Sequence, residues 1–108
     1  MHLSLKPGVK MFGVRPEMVL AATVVASVYS EFNNSQCVIT SITDGKHRKN
    51  SIHYKGFAMD FRTRHIPIGM LGTLRARVQA CLGSEFDVVL EETHLHVEYD
   101  PECPFGSG

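Results

Sequence analysis

The stretch His94-Leu95-His96-Val97 alternates polar with apolar side chains. A period of two belongs to a β-strand, whose successive side chains point to opposite faces. Leu95 and Val97 then turn toward a core, and His94 and His96 stand together on the other face, toward solvent or a cleft. Two histidines side by side on one strand face are either a surface accident or a site. In both cases the chain has to build a sheet with one apolar face to bury.

The other elements fit around such a sheet. Pro16 suits the first turn of a helix, where its missing N–H costs nothing. Met18, Ala21, Val25, Val28 and Phe32 recur at helical spacing, which predicts a core-facing helix that ends near Asn33-Asn34. Gln36 to Ile42 is β-branched and reads as a strand, followed by a polar, basic loop from Thr43 to Ser51 with Asp44-Gly45 as a turn. Phe57 to Arg62 alternates and reads as a strand. Pro67 opens a second helix with Leu71, Leu74, Val78 and Cys81 on one face and Gly83 as its stop. Phe86 to Leu90 and His94 to Tyr99 are two strands joined tightly through Glu91-Glu92-Thr93. The expected fold is α+β: a small, largely antiparallel sheet with two main helices packed on one side. The chain of 108 residues supports one domain over residues 1–105, with 106–108 as a loose tail.

Composition excludes several roles. The formal net charge is zero, so no basic field invites nucleic acid and no polybasic anchor invites a membrane surface. The longest apolar run, Met18 to Tyr29, is interrupted by Thr23 and Ser27 and is too short to span a bilayer. The N-terminus lacks a charged-then-apolar signal pattern, which predicts synthesis in the cytoplasm. Cys37, Cys81 and Cys103 form no CxxC pair and are odd in number, so reduced, mostly buried thiols are expected.

A second block, Ser51-Ile-His53-Tyr-Lys-Gly56-Phe-Ala58-Met-Asp60, adds chemistry to the histidine pair. His53 and Asp60 have the wrong parity for one flat strand, but Gly56 between them permits a turn that brings them together. The small Ala58 lets ligands approach without crowding. Asp60 sits in an otherwise apolar stretch, where a carboxylate without a partner is costly and calls for a cation. A metal is one answer; a salt bridge to Arg62 or Arg64 is the plain alternative. Two imidazoles and a carboxylate are also the donor inventory of a catalytic zinc site, which keeps one position open.

The pattern Ser51-x-His53-x-x-Gly56-x-Ala58-x-Asp60 followed by His94-x-His96-Val97 resembles the M15 family of zinc peptidases. That family includes D-alanyl-D-alanine carboxypeptidases and dipeptidases and the L-alanyl-D-glutamate endopeptidases of phage lysins. The amino-terminal signalling domain of hedgehog proteins shares its fold. The resemblance covers Ser51 to Tyr99 and implies zinc held by His53, Asp60 and His96. His94 then lies in the site without binding metal, as the first histidine of the pair does in hedgehog-like members. Ser51 is implied to help hold a substrate carboxylate. The family also places a carboxylate base close before the last ligand, often three residues ahead. Here that position is Thr93, which cannot serve; Glu91, three ahead of His94, is the choice, with Glu92 second.

The resemblance implies a zinc-dependent peptidase that cuts bacterial cell-wall (peptidoglycan) peptides, a phage or bacterial murein enzyme acting after release or as a virion component. Zinc would polarise the scissile carbonyl, Glu91 would accept and return a proton, and His94 would donate to the developing oxyanion. Lys46, His47, Arg48 and Lys49 could attract an anionic stem peptide. A monomer without nucleic-acid partner or membrane span is the expected state. The alternative is a non-catalytic, metal-stabilised binding module on the same fold, with the position of the carboxylate base as discriminator. A nucleic-acid role is disfavoured by the neutral charge.

Overall fold

The computed structural model describes residues 2–10, 14–43 and 58–100. Among the described residues, five strands form one sheet: β1 (Leu3–Leu5), β2 (Cys37–Thr43), β3 (Ala58–Arg62), β4 (Phe86–Leu90) and β5 (His94–Tyr99), in the spatial order β1-β2-β3-β5-β4. β1 runs parallel to β2, and the remaining neighbours are antiparallel. Two helices, α1 (Pro16–Ser30) and α2 (Leu71–Leu82), pack against the sheet, and the fold is the expected α+β. No helix among the described residues is long and apolar enough to cross a membrane.

Local chemistry explains the element ends. Pro16 stands at the start of α1, and the helix gives way to turns in which Asn33 and Asn34 take positive φ of 59° and 54°, a conformation asparagine tolerates better than most residues. A short 3-10 turn (Ile68–Met70) follows Pro67 and leads into α2. Gly83 ends α2 at φ 92°, where a side chain would be strained, and its N–H donates to Gln79 O. The Gln79 side chain then ties that end to β4: its amide N–H donates to Phe86 O, and its Oε1 accepts from Val88 N–H. Glu91 N–H donates to His94 O and closes the β4–β5 hairpin.

One face of the sheet carries Cys37, Ile39, Met59, Phe61, Val88, Leu95 and Val97, all packed in one cluster with Met18, Ala22, Val25 and Tyr29 of α1 and Leu74 and Val78 of α2. Alternation therefore sends Asp60 and Arg62 of β3, and His94, His96 and Glu98 of β5, to the opposite face. The Tyr29 hydroxyl donates to Arg62 O at 2.9 Å and fixes the end of β3 to α1.

The expectations for β1, Thr43 and Cys81 need correcting. β1 was not expected, since Leu3-Ser4-Leu5 is too short to display a period by itself; its pairing with β2 creates it. Cys81 is exposed, because the core-facing stripe of α2 runs through Leu71, Leu74, Val78 and Leu82 and leaves Cys81 beside it. Cys37, by contrast, is buried as expected, and desolvation pushes its thiol up to about 12. Thr43, expected to open the loop that ends at Ser51, belongs to β2; residues 44–57, Cys103 and the tail 106–108 lie outside the described residues.

Candidate functional site

The antiparallel register of β3 and β5 builds the site. Asp60 stands opposite His96, Arg62 opposite His94 and Ala58 opposite Glu98. Directly opposed side chains on one face lie close enough to interact. On the far side of β3, Ser41 of β2 stands opposite Asp60, beyond an irregularity that leaves Thr40 out of the paired register. The Thr40 hydroxyl donates to Asp60 O at 3.3 Å.

Asp60 lies between the two histidines. Its Oδ1 is 2.8 Å from His96 Nδ1, and its Oδ2 is 3.5 Å from His94 Nε2. The other nitrogen of His96, Nε2, is 3.3 Å from Glu98 Oε1. His94 Nε2 is 2.9 Å from Glu91 Oε1, and its Nδ1 is 3.2 Å from the Thr93 hydroxyl. Three carboxylates thus gather around two imidazoles on a half-buried sheet face.

The proton inventory differs between the two rings. For His94, both nearby carboxylates, Glu91 and the more distant Asp60 Oδ2, lie on the Nε2 side, so a proton there donates toward them while Nδ1 accepts from Thr93. For His96, each ring nitrogen faces a carboxylate oxygen, and only a doubly protonated ring donates to both. Burial pulls the His96 pKa down, but the hydrogen bonds and charges of Asp60 and Glu98 outweigh it and hold the imidazolium above its ordinary range.

Of the residues singled out in the sequence, Asp60, Glu91, His94 and His96 come together here. Glu92, next to Glu91, instead lines a neighbouring cleft with Thr93 and His94. Asp60 pairs with the histidines and, among the described residues, with neither Arg62 nor Arg64. Ser51, His53 and the basic run Lys46–Lys49 lie outside the described residues. Glu98 is a member of the cluster that sequence reasoning did not assign. It is buried, at 7 % exposure, and the signal was available: it follows His96 by two on the same strand, so it shares that face.

Among the described residues, no group of three His, Cys, Asp or Glu side chains is arranged to hold a metal ion by itself. Asp60 and His96 provide two donors on adjacent strands, and His53 is the third in the M15 pattern. At 2.8 Å the Asp60 oxygen and the His96 nitrogen form a direct hydrogen bond, with two further acidic groups near the rings. The chain matches no protein-family model, no curated protein and no solved structure.

Proposed function

We propose that this chain is a zinc-dependent peptidase acting on bacterial cell-wall peptides. The observation that carries the reading is the placement of Asp60 between His94 and His96, residues that the two sequence blocks single out independently. Asp60 and His96, with His53, would hold the metal. Zinc bound there supplies Lewis acidity toward the scissile carbonyl.

The chain's own groups account for the proton movements. Glu91, exposed at the hairpin and in contact with His94, accepts a proton from the attacking water and returns it to the leaving amine. His94 keeps Glu91 oriented through Nε2, and its own orientation is held by Thr93 at Nδ1. Once Glu91 has taken a proton its hold on that N–H weakens, and the ring can turn the same donor to charge that develops on a carbonyl oxygen. Glu98 plays the part of the carboxylate that commonly accepts from the distal nitrogen of a metal-bound histidine, fixing the ring's rotation.

The non-catalytic alternative, a metal-stabilised binding module, needs the metal but no base. The contact of Glu91 with His94 supports catalysis over the binding module, since it keeps a carboxylate able to act as base beside the site. Incubating purified protein with defined muropeptides, with and without a chelator, tests the proposal. Chelator-sensitive cleavage products identified by mass are expected. Intact muropeptides with the zinc-loaded protein would overturn it.

A further inference from the structure

Beside the acid–histidine cluster lies a cleft of about 560 Å³ lined by Lys6, Thr40, Arg62, Thr63, Arg64, Glu92, Thr93 and His94. The volume is in the range of small-ligand sites. Its charged lining is three cations against one acid. The cations come from separate parts of the chain: Lys6 just after β1, Arg62 at the end of β3, and Arg64 in the turn that follows.

Their backbones are anchored. Lys6 N–H donates to Ile39 O at 2.9 Å, and Arg62 O accepts from Tyr29. Thr63 between the two arginines is buried, and Ile66 N–H donates back to its carbonyl. Among the described residues, no carboxylate forms an ion pair with Lys6, Arg62 or Arg64. Two other arginines are paired with carboxylates, Arg77 with Glu31 and Arg15 with Glu17. Like charges brought to one concave surface repel each other, and such a cleft focuses a positive potential on whatever enters it. Two guanidinium groups add a planar fork that matches a carboxylate.

We propose that this cleft is a subsite for the carboxylate groups of an acidic peptide. His94 forms part of its wall and also touches Glu91, so a peptide anchored there by its carboxylates lies against the acid–base groups. The site rests on the charge cluster; the naming of a peptide as its ligand rests on the peptidase reading. It differs from the Lys46–Lys49 run as a source of positive charge, because its three cations belong to the described sheet and its turns.

The test is binding, read without turnover. The whole protein as purified is titrated with N-acetyl-alanyl-glutamate and with the same peptide amidated at both carboxylates, following backbone amide shifts of residues 62–64 and 93–94. The acid should bind about ten-fold more tightly than the diamide, and added salt should erode the difference. Arg62→Gln and Arg64→Gln should each reduce acid binding about five-fold, while Lys10→Gln, on an exposed residue outside the cleft, should leave it unchanged. Arg64 is exposed, so its variant reads the subsite even where Arg62→Gln disturbs the strand. Equal binding of acid and diamide would overturn the proposal, as would an acid preference that survives both arginine variants. Inorganic phosphate displacing the peptide at lower concentration would overturn the assignment to peptide carboxylates. A protein that binds the acid selectively but leaves muropeptides intact would refute the peptidase reading and keep the carboxylate subsite.

Discussion

Asp60 faces His96 directly across the β3–β5 ladder, and their Oδ1 and Nδ1 atoms lie 2.8 Å apart. Residues distant in sequence meet because both strands use one face for the core and keep the other for polar groups. The contact is half-buried, so the charges are less screened than at a free surface. A proton on His96 joins the two groups, and in the proposed zinc form a metal ion would take its place.

The first prediction is that metal content depends on this pair. The protein should carry one zinc per chain, and Asp60→Ala, His96→Ala and His53→Ala should each lose it. Asp60→Asn should keep its shape yet bind more weakly, because it lacks the charge that neutralises the cation. Elemental analysis of protein purified without added metal reads this directly. Full zinc content in the alanine variants would show that other residues hold it.

Protonation of His96 predicts the pH behaviour of the metal-free form. Its folded pKa is raised above the ordinary value of 6.5. A raised histidine stabilises the fold fully below the unfolded value and loses that contribution as pH rises through the folded value. Thermal melts of chelator-treated protein should show this contribution level below about pH 6.5 and falling as pH rises above that value. His96→Ala should flatten the profile. With zinc present the trend reverses, since binding displaces the proton and affinity rises with pH.

Glu98 supplies a third test. Its buried carboxylate meets His96 Nε2 at 3.3 Å, while Nδ1 faces Asp60. A carboxylate in that position orients a ligand histidine, and its loss weakens metal binding by roughly 10–100-fold. Glu98→Gln should show that weakening in a competitive chelator titration while the protein stays folded by circular dichroism. Unchanged zinc affinity would make Glu98 a bystander.

Tyr29 tests the scaffold rather than the chemistry. Its side chain is fully buried, and burial raises its pKa, so the phenol stays neutral and donates to Arg62 O. Tyr29→Phe removes the donor and leaves a strand carbonyl without it, at a cost of about 1 kcal/mol. A loss of about 5 °C in the melting temperature is the expected reading. Zinc content should be unchanged, because Asp60 and His96 keep their ladder.

Legibility in the sequence followed the range of the interactions involved. The bounds of β4 and β5 were readable because alternation is local, and the end of α2 because Gly83 takes a backbone angle that favours glycine. β1 was not, since three residues cannot display a period and its pairing with β2 is a long-range fact. The shared face of His94 and His96 was readable from parity, and the same parity places Glu98 with them. The partner of Asp60 was open between a metal and an arginine. Only the register, which sets Asp60 against His96 and Arg62 against His94, puts both histidines within reach of the carboxylate. Cys81 shows the opposite failure: spacing from Val78 put it on the core face, but the core-facing stripe of α2 passes through Leu82 instead.

The last prediction separates Glu91 from Glu92. The two are neighbours in the hairpin, but Glu91 lies 2.9 Å from His94 Nε2, whereas Glu92 lines the cleft. Glu91→Gln keeps size and hydrogen bonding and cannot accept a proton. If Glu91 is the base, this variant should fold, retain zinc and lose turnover by roughly 10²–10⁴, the usual contribution of a positioned acid–base group. Glu92→Gln should stay near wild type in kcat. A shift in its KM would report its place on the cleft wall. The reverse ranking would move the base to Glu92. Equal, small effects from both variants would leave His94 as the next candidate, and His94→Gln would then have to abolish turnover for the peptidase reading to stand. The comparison is made at matched zinc content, because a lost metal mimics a lost base.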